Sequence, residues 1–242
     1  MKKLFAFIVY VFFIPPMVFA GGNTTIDSFS KAKKELLKKV YYDHRDTFYC
    51  DCPFKIDKSI VPSEKFSPDT KYFKRSKRME WEHVVPAQGF GQSFKEWREG
   101  HPKCVDKEGK SFKGRDCAEK TNMLYRYMQA DLYNLVPANG QVNALRSNYN
   151  YAVIPGEPRR FGNCDMEIKN KKAEPKPEIR GDIVRIYLYM NDAYPGRGII
   201  SKKNRKLFEA WAVADPIDEW ERERAKRIEQ IQGNKNKFVE PK

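Results

Sequence analysis

The stretch EWEHVVPA, residues 80–87, places two carboxylates and one of the chain's three histidines in a run that otherwise has the pattern of a buried strand. Side chains alternate along a strand, so Glu80 and Glu82 share one face and His83 points to the other. Pro86 marks a strand end, where twist or an irregular peptide would let Glu82 and His83 converge. A carboxylate is a hard ligand for Mg²⁺, and imidazole accepts a proton near neutral pH. The stretch therefore predicts a metal ligand beside a base; the alternative is a half-buried histidine paired with a neighbouring acid.

A second candidate group lies in QVNALRSN, residues 141–148. The stretch follows a turn and fits a short helix, on which Asn143 and Arg146, spaced i and i+3, emerge on one face. An amide oxygen can complete a metal site, and a guanidinium can hold a phosphate through two hydrogen bonds. The alternative is an ordinary amphipathic helix that turns its apolar residues toward the core. Taken with the first stretch, this spacing favours a metal site that acts on a phosphate.

Residues 1–20 have the pattern of a secretory signal peptide. Two lysines precede an uncharged run that ends in Val18-Phe19-Ala20, which offers small residues for cleavage. A membrane anchor is the alternative, but Pro15-Pro16 interrupts the run, and a spanning helix needs about 20 apolar residues. We therefore predict a periplasmic or secreted protein that is not inserted in a membrane after cleavage. Residues 21–242 are long enough for one core and predict a single domain.

The chain is strongly basic, with 46 lysines and arginines against 32 acidic residues and a formal charge of +14. Removal of residues 1–20 would take away two lysines and leave a charge of +12. Such a charge favours a polyanionic partner, nucleic acid above all, with anionic membranes and cell-wall polymers as competing targets. Charge by itself does not separate an enzyme from a basic protein that only coats nucleic acid.

All five cysteines follow the predicted signal, so disulfides are expected in the oxidising space outside the cytoplasm. Cys104 and Cys117 would close a compact loop and form the most natural bridge. Cys164 is then left to pair with Cys50 or with Cys52, and the sequence does not decide between them. A structural zinc site is disfavoured, because one residue, rather than two, separates Cys50 from Cys52 and no second cysteine pair faces them.

The remaining pattern predicts more helices than strands, without regular alternation, which is typical of the α+β class. Hydrophobic spacing, caps and breakers define the individual elements. The predicted strands cover residues 79–86 and 133–138, the second of them stopped by Pro137. The predicted helices cover residues 28–41, 119–132, 139–150, 178–192 and 201–214, and a last helix is capped by Asp215 and runs to about Gln232 with Gly233 just past it.

Several motifs, in one order, carry a resemblance to a known family. They are MEWEHVVPA (79–87), GRDC (114–117), MQADLYNLVPANGQVNALRSN (128–148) and GNC (162–164), followed by KLFEAW (206–211) and QGNKN (232–236). With these the chain resembles the endonuclease I family of periplasmic and secreted bacterial nucleases, from roughly Phe29 to Phe238. The resemblance implies a ββα-metal (His-Me finger) nuclease core with surrounding helices and disulfides.

The resemblance also implies roles for single residues. Glu82 and Asn143 would bind one Mg²⁺ ion, and His83 would be the general base. Arg115, in GRDC, matches the arginine expected to hold the cleaved phosphate, and a disulfide at Cys117 would fix its position. Arg146 falls on a motif position and would help to bind the phosphate.

The sequence departs from the family pattern at three places. Gln129 stands where relatives are expected to carry an acid, which weakens any case for an acidic partner there. Ala144-Leu145 replaces a more polar pair. Arg222 follows EWE where relatives often have cysteine, so the family's disulfide pairings cannot all be carried over.

We therefore predict a monomeric, secreted or periplasmic Mg²⁺-dependent endonuclease that cuts DNA, and RNA as well, with low sequence specificity and leaves 5′ phosphates. A non-catalytic basic protein that binds nucleic acid is the alternative. A glycosidase that uses Glu80 and Glu82 is disfavoured, because an i, i+2 spacing is a poor way to flank a sugar bond from opposite sides. A metalloprotease lacks the second histidine of HExxH after His83.

Overall fold

The structure, a computed structural model, describes residues 21–156 and 159–240. The predicted signal peptide, residues 1–20, lies outside the described residues. Five strands fall within the described part: β1 Met79–His83, β2 Leu135–Asn139, β3 Asn150–Tyr151, β4 Met166–Lys169 and β5 Lys172–Pro175. Its α-helices are α1 Phe29–Glu35, α2 Ala87–Gly91, α3 Lys95–Arg98, α4 Arg115–Thr121, α5 Met123–Gln129, α6 Gly140–Arg146, α7 Arg180–Ala193, α8 Arg205–Ala214 and α9 Glu219–Gln232. Helices and two small sheets confirm the predicted α+β class.

The centre of the fold is the antiparallel pair of strands β1 and β2, against which the helix α6 packs. The strands are antiparallel, with Glu82 opposite Val136 and His83 opposite Leu135. Asn139 ends β2 and caps α6, because its side-chain oxygen accepts a hydrogen bond from the Gln141 amide at 2.9 Å. The helix α6 thus follows β2 without a loop, and β1, which lies earlier in the chain, pairs with β2 to complete the predicted ββα core.

Gly140 allows α6 to begin so close to β1. A Cβ atom at this position would lie 2.6 Å from the carbonyl oxygen of Arg75 and 2.9 Å from the Glu80 carboxylate. Both distances are shorter than van der Waals contact, so any side chain here would push the helix away from the strand. The glycine therefore fixes the spacing between Asn143 on α6 and the acidic face of β1.

The apolar core surrounds this unit, and α7, α8 and α9 complete it. Both strands are buried along nearly their whole length, with Val136 and Leu135 1% and 0% exposed. The second sheet, in the order β3-β5-β4, joins one parallel and one antiparallel pair. Within residues 21–156 and 159–240, no helix combines the length and the apolarity needed to cross a bilayer.

Most predicted elements exist, but several boundaries differ. Pro137 does not stop β2 but lies inside it, opposite Trp81, which is tolerated because each strand of a two-stranded sheet has a free edge. The helix predicted over residues 119–132 is divided at Asn122, whose side chain accepts from the Tyr125 amide and so caps a new helix. Asp218, and not Asp215, caps α9.

Two further differences come from residues with positive φ. The helix predicted over residues 139–150 ends at Arg146, since Ser147 has φ +52° and cannot continue it. The β4–β5 hairpin was not predicted, because its turn uses Asn170 and Lys171 with φ of +51° and +58°. Such a turn is usually signalled by Asn-Gly, and a lysine in the second position gives no such signal.

The disulfides answer the question that the sequence left open. Cys104 pairs with Cys117, as predicted, and Cys164 pairs with Cys50 across a Cα–Cα distance of 4.8 Å. The candidate Cys52 was wrong: its thiol is free and buried. Its backbone amide donates to Thr47 Oγ1 at 2.9 Å, which holds this turn with the Cys52 side chain in the core and the Cys50 side chain toward Cys164.

Candidate active site

One cleft of about 390 Å³ collects four of the five residues predicted to act in catalysis or binding. These are Glu82 and His83 at the end of β1, Asn143 on α6 and Arg115 at the start of α4. The fifth, Arg146, does not line this cleft. The rest of the lining is formed by Phe29, Arg75, Trp81, Pro86, Ala87, Gln88, Trp97, Ser147 and Asn148.

The end of β1 explains how two neighbouring side chains reach one cleft. Beyond His83 the strand leaves the regular ladder, and Asn134 takes over its hydrogen bonds. The Asn134 side chain accepts from the Val85 amide at 2.7 Å and donates to the Val85 carbonyl at 3.0 Å. This side-chain pairing takes the place of a backbone partner at the strand end, and Glu82 and His83 both border the cavity there.

His83 is held in one tautomer. Its Nε2 atom lies 2.8 Å from the carbonyl oxygen of Gln129, which can only accept, so Nε2 carries the proton and Nδ1 is left as the acceptor. The ring packs against Phe29, with 4.9 Å between centroids. Burial, together with the nearby charge of Arg115, lowers the pKa of His83 to about 3. The imidazole is therefore neutral at physiological pH, with Nδ1 unprotonated.

Glu82 is 4% exposed and contacts a single cation. Its Oε1 atom accepts from Arg146 Nη1 at 2.8 Å, and none of the described residues hydrogen-bonds Oε2. Burial raises the pKa of Glu82 to about 7, although the Arg146 charge acts in the opposite direction. A carboxylate with such a pKa gains strongly from a bound cation, which replaces the water lost on burial.

The side chain of Asn143 presents an oxygen atom to the cleft that Glu82 and His83 line. Its Nδ2 group donates to Glu80 Oε2 at 3.1 Å, which leaves Oδ1 as the free acceptor of the amide. Glu80 itself is held by Arg75 and by Arg78, whose Nε atom lies 2.8 Å from Oε1. A second carboxylate thus orients the amide without being free to ligate.

This donor set fits Mg²⁺. The described residues contain no cluster of three or more His, Cys, Asp or Glu side chains that could enclose a metal. Mg²⁺ does not need one, because it is commonly held by one or two carboxylates and keeps several waters or substrate oxygens. The unpaired Oε2 of Glu82 and the free Oδ1 of Asn143 are ligands of this kind.

Arg115 adds positive charge to the cleft. It is the first residue of α4, and its Nε atom donates to Gln129 Oε1 at 3.3 Å. Its guanidinium carbon lies 5.2 Å from the centroid of the Phe29 ring. The Cys104–Cys117 bridge ties the same helix to the preceding loop, two residues beyond Arg115.

Arg146 is placed differently from the expectation. It is 0% exposed, and its guanidinium donates to Glu82 Oε1 and to the carbonyl oxygens of His83 and Val84, at 2.7 to 2.9 Å. It also lies 4.7 Å from the ring of Tyr151. With its hydrogen bonds directed at β1 and no surface toward solvent, it does not support the predicted phosphate contact. The position favours a role in holding Glu82 and the end of β1.

Comparison with known proteins identifies the family of the chain. The family model described as Endonuclease I matches residues 28–242, nearly the whole of the described chain. The chain belongs to the endonuclease I family. This confirms the resemblance and makes the protein a nuclease.

Curated relatives of this endonuclease cover most of its length. An extracellular deoxyribonuclease of Aeromonas hydrophila is 39% identical over 221 residues, which is 87% of this chain and 88% of the relative. A periplasmic deoxyribonuclease of the same organism is 38% identical over 221 residues, with coverage of 87% and 84%. Endonuclease-1 of Buchnera aphidicola subsp. Acyrthosiphon pisum is 37% identical over 245 residues, with coverage of 98% and 91%.

Sequence reasoning did not single out Arg75 in this endonuclease's cleft, and it did not predict the contacts that Gln129 makes beside it. Arg75 borders the cleft and holds Glu80, but in the sequence it is one of many basic residues and only its spacing before β1 sets it apart. Gln129 touches His83 through its main-chain oxygen and Arg115 through its side chain. A main-chain acceptor leaves no trace in residue identity, so sequence reasoning had no signal for the first contact.

Proposed function

We propose that this endonuclease hydrolyses phosphodiester bonds of DNA and RNA with low sequence specificity, as a monomer that uses one Mg²⁺ ion per site. The observation that carries the proposal is the meeting of a neutral imidazole, an unpaired carboxylate oxygen and an amide oxygen in one basic cleft. A protein that only binds nucleic acid would gain nothing from burying an acid and a histidine there, since both lose hydration.

The extracellular and periplasmic relatives also support a place outside the cytoplasm. The protein is accordingly periplasmic or secreted. The two disulfides agree with this location, because such bonds persist in oxidising compartments.

Glu82 and Asn143 are the residues that would hold the metal. When bound, Mg²⁺ supplies positive charge that stabilises the leaving 3′ oxygen of the scissile phosphate. Glu82 would hold the ion through its buried carboxylate, and Asn143, whose amide nitrogen donates to Glu80, would offer its Oδ1 atom.

His83 acts as the base in this proposal. Its Nδ1 atom takes a proton from water, which attacks phosphorus in line with the leaving 3′ oxygen, so the product carries a 5′ phosphate. The bond from Nε2 to the Gln129 carbonyl holds the ring and stabilises the positive charge that develops on it. Arg115 offsets the growing charge on the phosphoryl oxygens.

Low specificity follows from the nature of the groups available. Arginine and lysine contacts to phosphate position a strand without reading its bases, and they dominate when a basic protein binds nucleic acid. The chemistry itself acts on the phosphodiester and not on the sugar. We therefore extend the proposal from DNA to RNA.

Removal of the metal is expected to stop cleavage. Supercoiled plasmid incubated with the protein and Mg²⁺ should be nicked and degraded, whereas an excess of EDTA should leave it intact. Gel-shift measurements under the EDTA condition should still detect binding, because the basic surface does not depend on the metal. Degradation at an equal rate in both tubes would contradict the metal dependence. An intact plasmid in both would favour the non-catalytic alternative.

The Mg²⁺ requirement is expected to depend on pH. The pKa of Glu82 is raised by burial to about 7, so below that pH the carboxyl is largely protonated and cannot ligate. The Mg²⁺ concentration for half-maximal rate should rise by about tenfold for each unit that the pH falls below about 7, and level off above it. His83 stays neutral over this range, since its pKa is about 3.

Titrations of the cleavage rate with Mg²⁺ between about pH 5 and pH 9 measure this effect. The maximal rate at saturating metal separates ligand protonation from loss of the base. A half-saturating concentration that does not change with pH would mean that Glu82 is not the titrating ligand.

A further inference from the structure

A second surface adjoins the active-site cleft and is not used by the mechanism above. It is the segment KYFKRSKR, residues 71–78, in which five of the eight residues are lysine or arginine. Between them lie Tyr72 and Phe73, which are 48% and 46% exposed. Two adjacent large aromatic side chains in water, next to concentrated positive charge, are an unusual use of surface and point to a partner with flat rings and negative charge.

The segment is held rigidly in this exposed position. Gln141, the second residue of α6 and 0% exposed, donates to the Asp69 carbonyl at 2.7 Å and accepts from the Asp69 amide at 3.0 Å. Asn139 donates to the carbonyl of Ser76 at 3.0 Å. Tyr72 has φ +59°, a conformation that a bulky residue adopts only where the surroundings impose it. The rings are therefore presented by a clamped turn and not by a loose loop.

The same turn reaches the catalytic cleft through Arg75. Arg75, in its centre, lines the cleft with Glu82 and His83 and holds Glu80. The clamp residues Asn139 and Gln141 begin the helix that carries Asn143. A strand whose phosphate lies in the cleft can thus continue directly over the turn.

We propose that Tyr72 and Phe73 form a stacking platform for an unpaired base of single-stranded nucleic acid. The inference rests on the proposed function, whose substrate it narrows. Cations lie close to both rings: Lys71 Nζ is 5.3 Å from the Tyr72 centroid, and Lys77 Nζ is 5.5 Å from the Phe73 centroid. A base on either ring would bring its own phosphate within reach of these charges. In a duplex the bases are stacked on one another, so the platform serves single strands or locally opened ends.

Binding measurements separate the platform from catalysis. In a His83→Ala background, which prevents cutting, the affinity for a fluorescent oligothymidylate and for a blunt duplex of equal length is measured over a range of salt. The double variant Tyr72→Ala/Phe73→Ala should bind the oligothymidylate about tenfold more weakly or worse, since stacking contributes roughly 5- to 150-fold per base. Its affinity for the duplex should change by less than about twofold, and its salt dependence should stay that of the parent. An oligouridylate arm tests whether RNA uses the same platform.

Tyr42 provides a matched control. It is 50% exposed and has a cation partner too, with the Arg227 guanidinium 4.6 Å from its ring, but it does not line the cleft. Tyr42→Ala should bind both nucleic acids like the parent. Lys74→Ala/Lys77→Ala should lower the affinity for both the oligothymidylate and the duplex and make these affinities depend less on salt. This result distinguishes the effect of charge from that of stacking. Tyr72→Phe should keep single-strand binding, because the ring is retained.

The proposal is overturned if Tyr72→Ala/Phe73→Ala binds the oligothymidylate as tightly as Tyr42→Ala, with both proteins melting at the parent temperature. Equal losses of affinity for the single strand and for the duplex would also overturn the proposal. Cleavage is tested separately with the wild-type protein and Mg²⁺. Failure to cleave, with the single-strand defect present, would remove the proposed function and leave the platform standing.

Discussion

Replacement of His83 by alanine is expected to lower the rate of DNA cleavage by roughly 10²- to 10⁴-fold, the usual contribution of a positioned general base. The expectation follows from the tautomer of the ring. Nε2 is committed to the Gln129 carbonyl, so Nδ1 is the one nitrogen that can accept a proton. With its pKa lowered to about 3, chiefly by burial, the imidazole is fully in the basic form at neutral pH. The one other carboxylate or imidazole that lines the cleft described above is Glu82, which the proposal assigns to the metal.

The loss should appear in kcat, with DNA binding nearly unchanged, because the ring is buried and carries no charge toward the phosphate. Single-turnover cleavage of a labelled duplex, together with a binding titration in EDTA, measures the two separately. His101→Ala is the control, since this histidine lies in the 100–114 loop and does not line the cleft. A His83→Ala protein that cuts at the wild-type rate while retaining its fold would remove the assigned base.

Sequence reasoning located Glu82, His83 and Asn143 through two short motifs, and Arg115 through the resemblance to the endonuclease I family. Each motif by itself also allowed a purely structural interpretation, and only their combination favoured a site. The contact between the two motifs depends on the three-dimensional fold. The sequence pattern calls for this contact but does not show it. The structure brings Glu82, His83, Arg115 and Asn143 to one cleft at the end of β1, where the side chain of Asn134 pairs with Val85.

Arg146 shows that residue spacing does not predict how deeply a side chain is buried. An i, i+3 pair shares the direction in which side chains leave the helix axis, but not their depth in the molecule. Asn143 lines the cleft, whereas Arg146 is fully buried and donates to the carbonyls of His83 and Val84. The choice between Cys50 and Cys52 was open for a similar reason. Both residues belong to one turn, and packing alone decides which thiol faces Cys164.

Removal of the buried guanidinium by Arg146→Met is expected to lower the free energy of unfolding by about 3–5 kcal/mol, as for other buried ion pairs that lose one partner. The variant would leave the Glu82 carboxylate uncompensated and the carbonyls of His83 and Val84 without a donor. It should also raise the Mg²⁺ concentration needed at neutral pH. Arg146 opposes the effect of burial on the pKa of Glu82, so its loss moves that pKa above about 7 and favours the protonated, non-ligating form.

Arg224 allows the two effects to be separated. It is likewise buried, at 7% exposure, and donates to the carbonyls of Leu132, Tyr133 and Leu135, but it does not contact Glu82. Arg224→Met should therefore unfold at a lower urea concentration than the wild-type protein. It should need the same Mg²⁺ concentration as the wild-type protein for half-maximal rate. If Arg146→Met also keeps that requirement, the arginine supports the scaffold alone. If Arg146→Met unfolds at the wild-type urea concentration, the three hydrogen bonds from Arg146 to Glu82, His83 and Val84 do not stabilise the fold. A joint loss of stability and metal affinity, confined to Arg146→Met, would identify the residue that keeps a buried acid ionised for the metal.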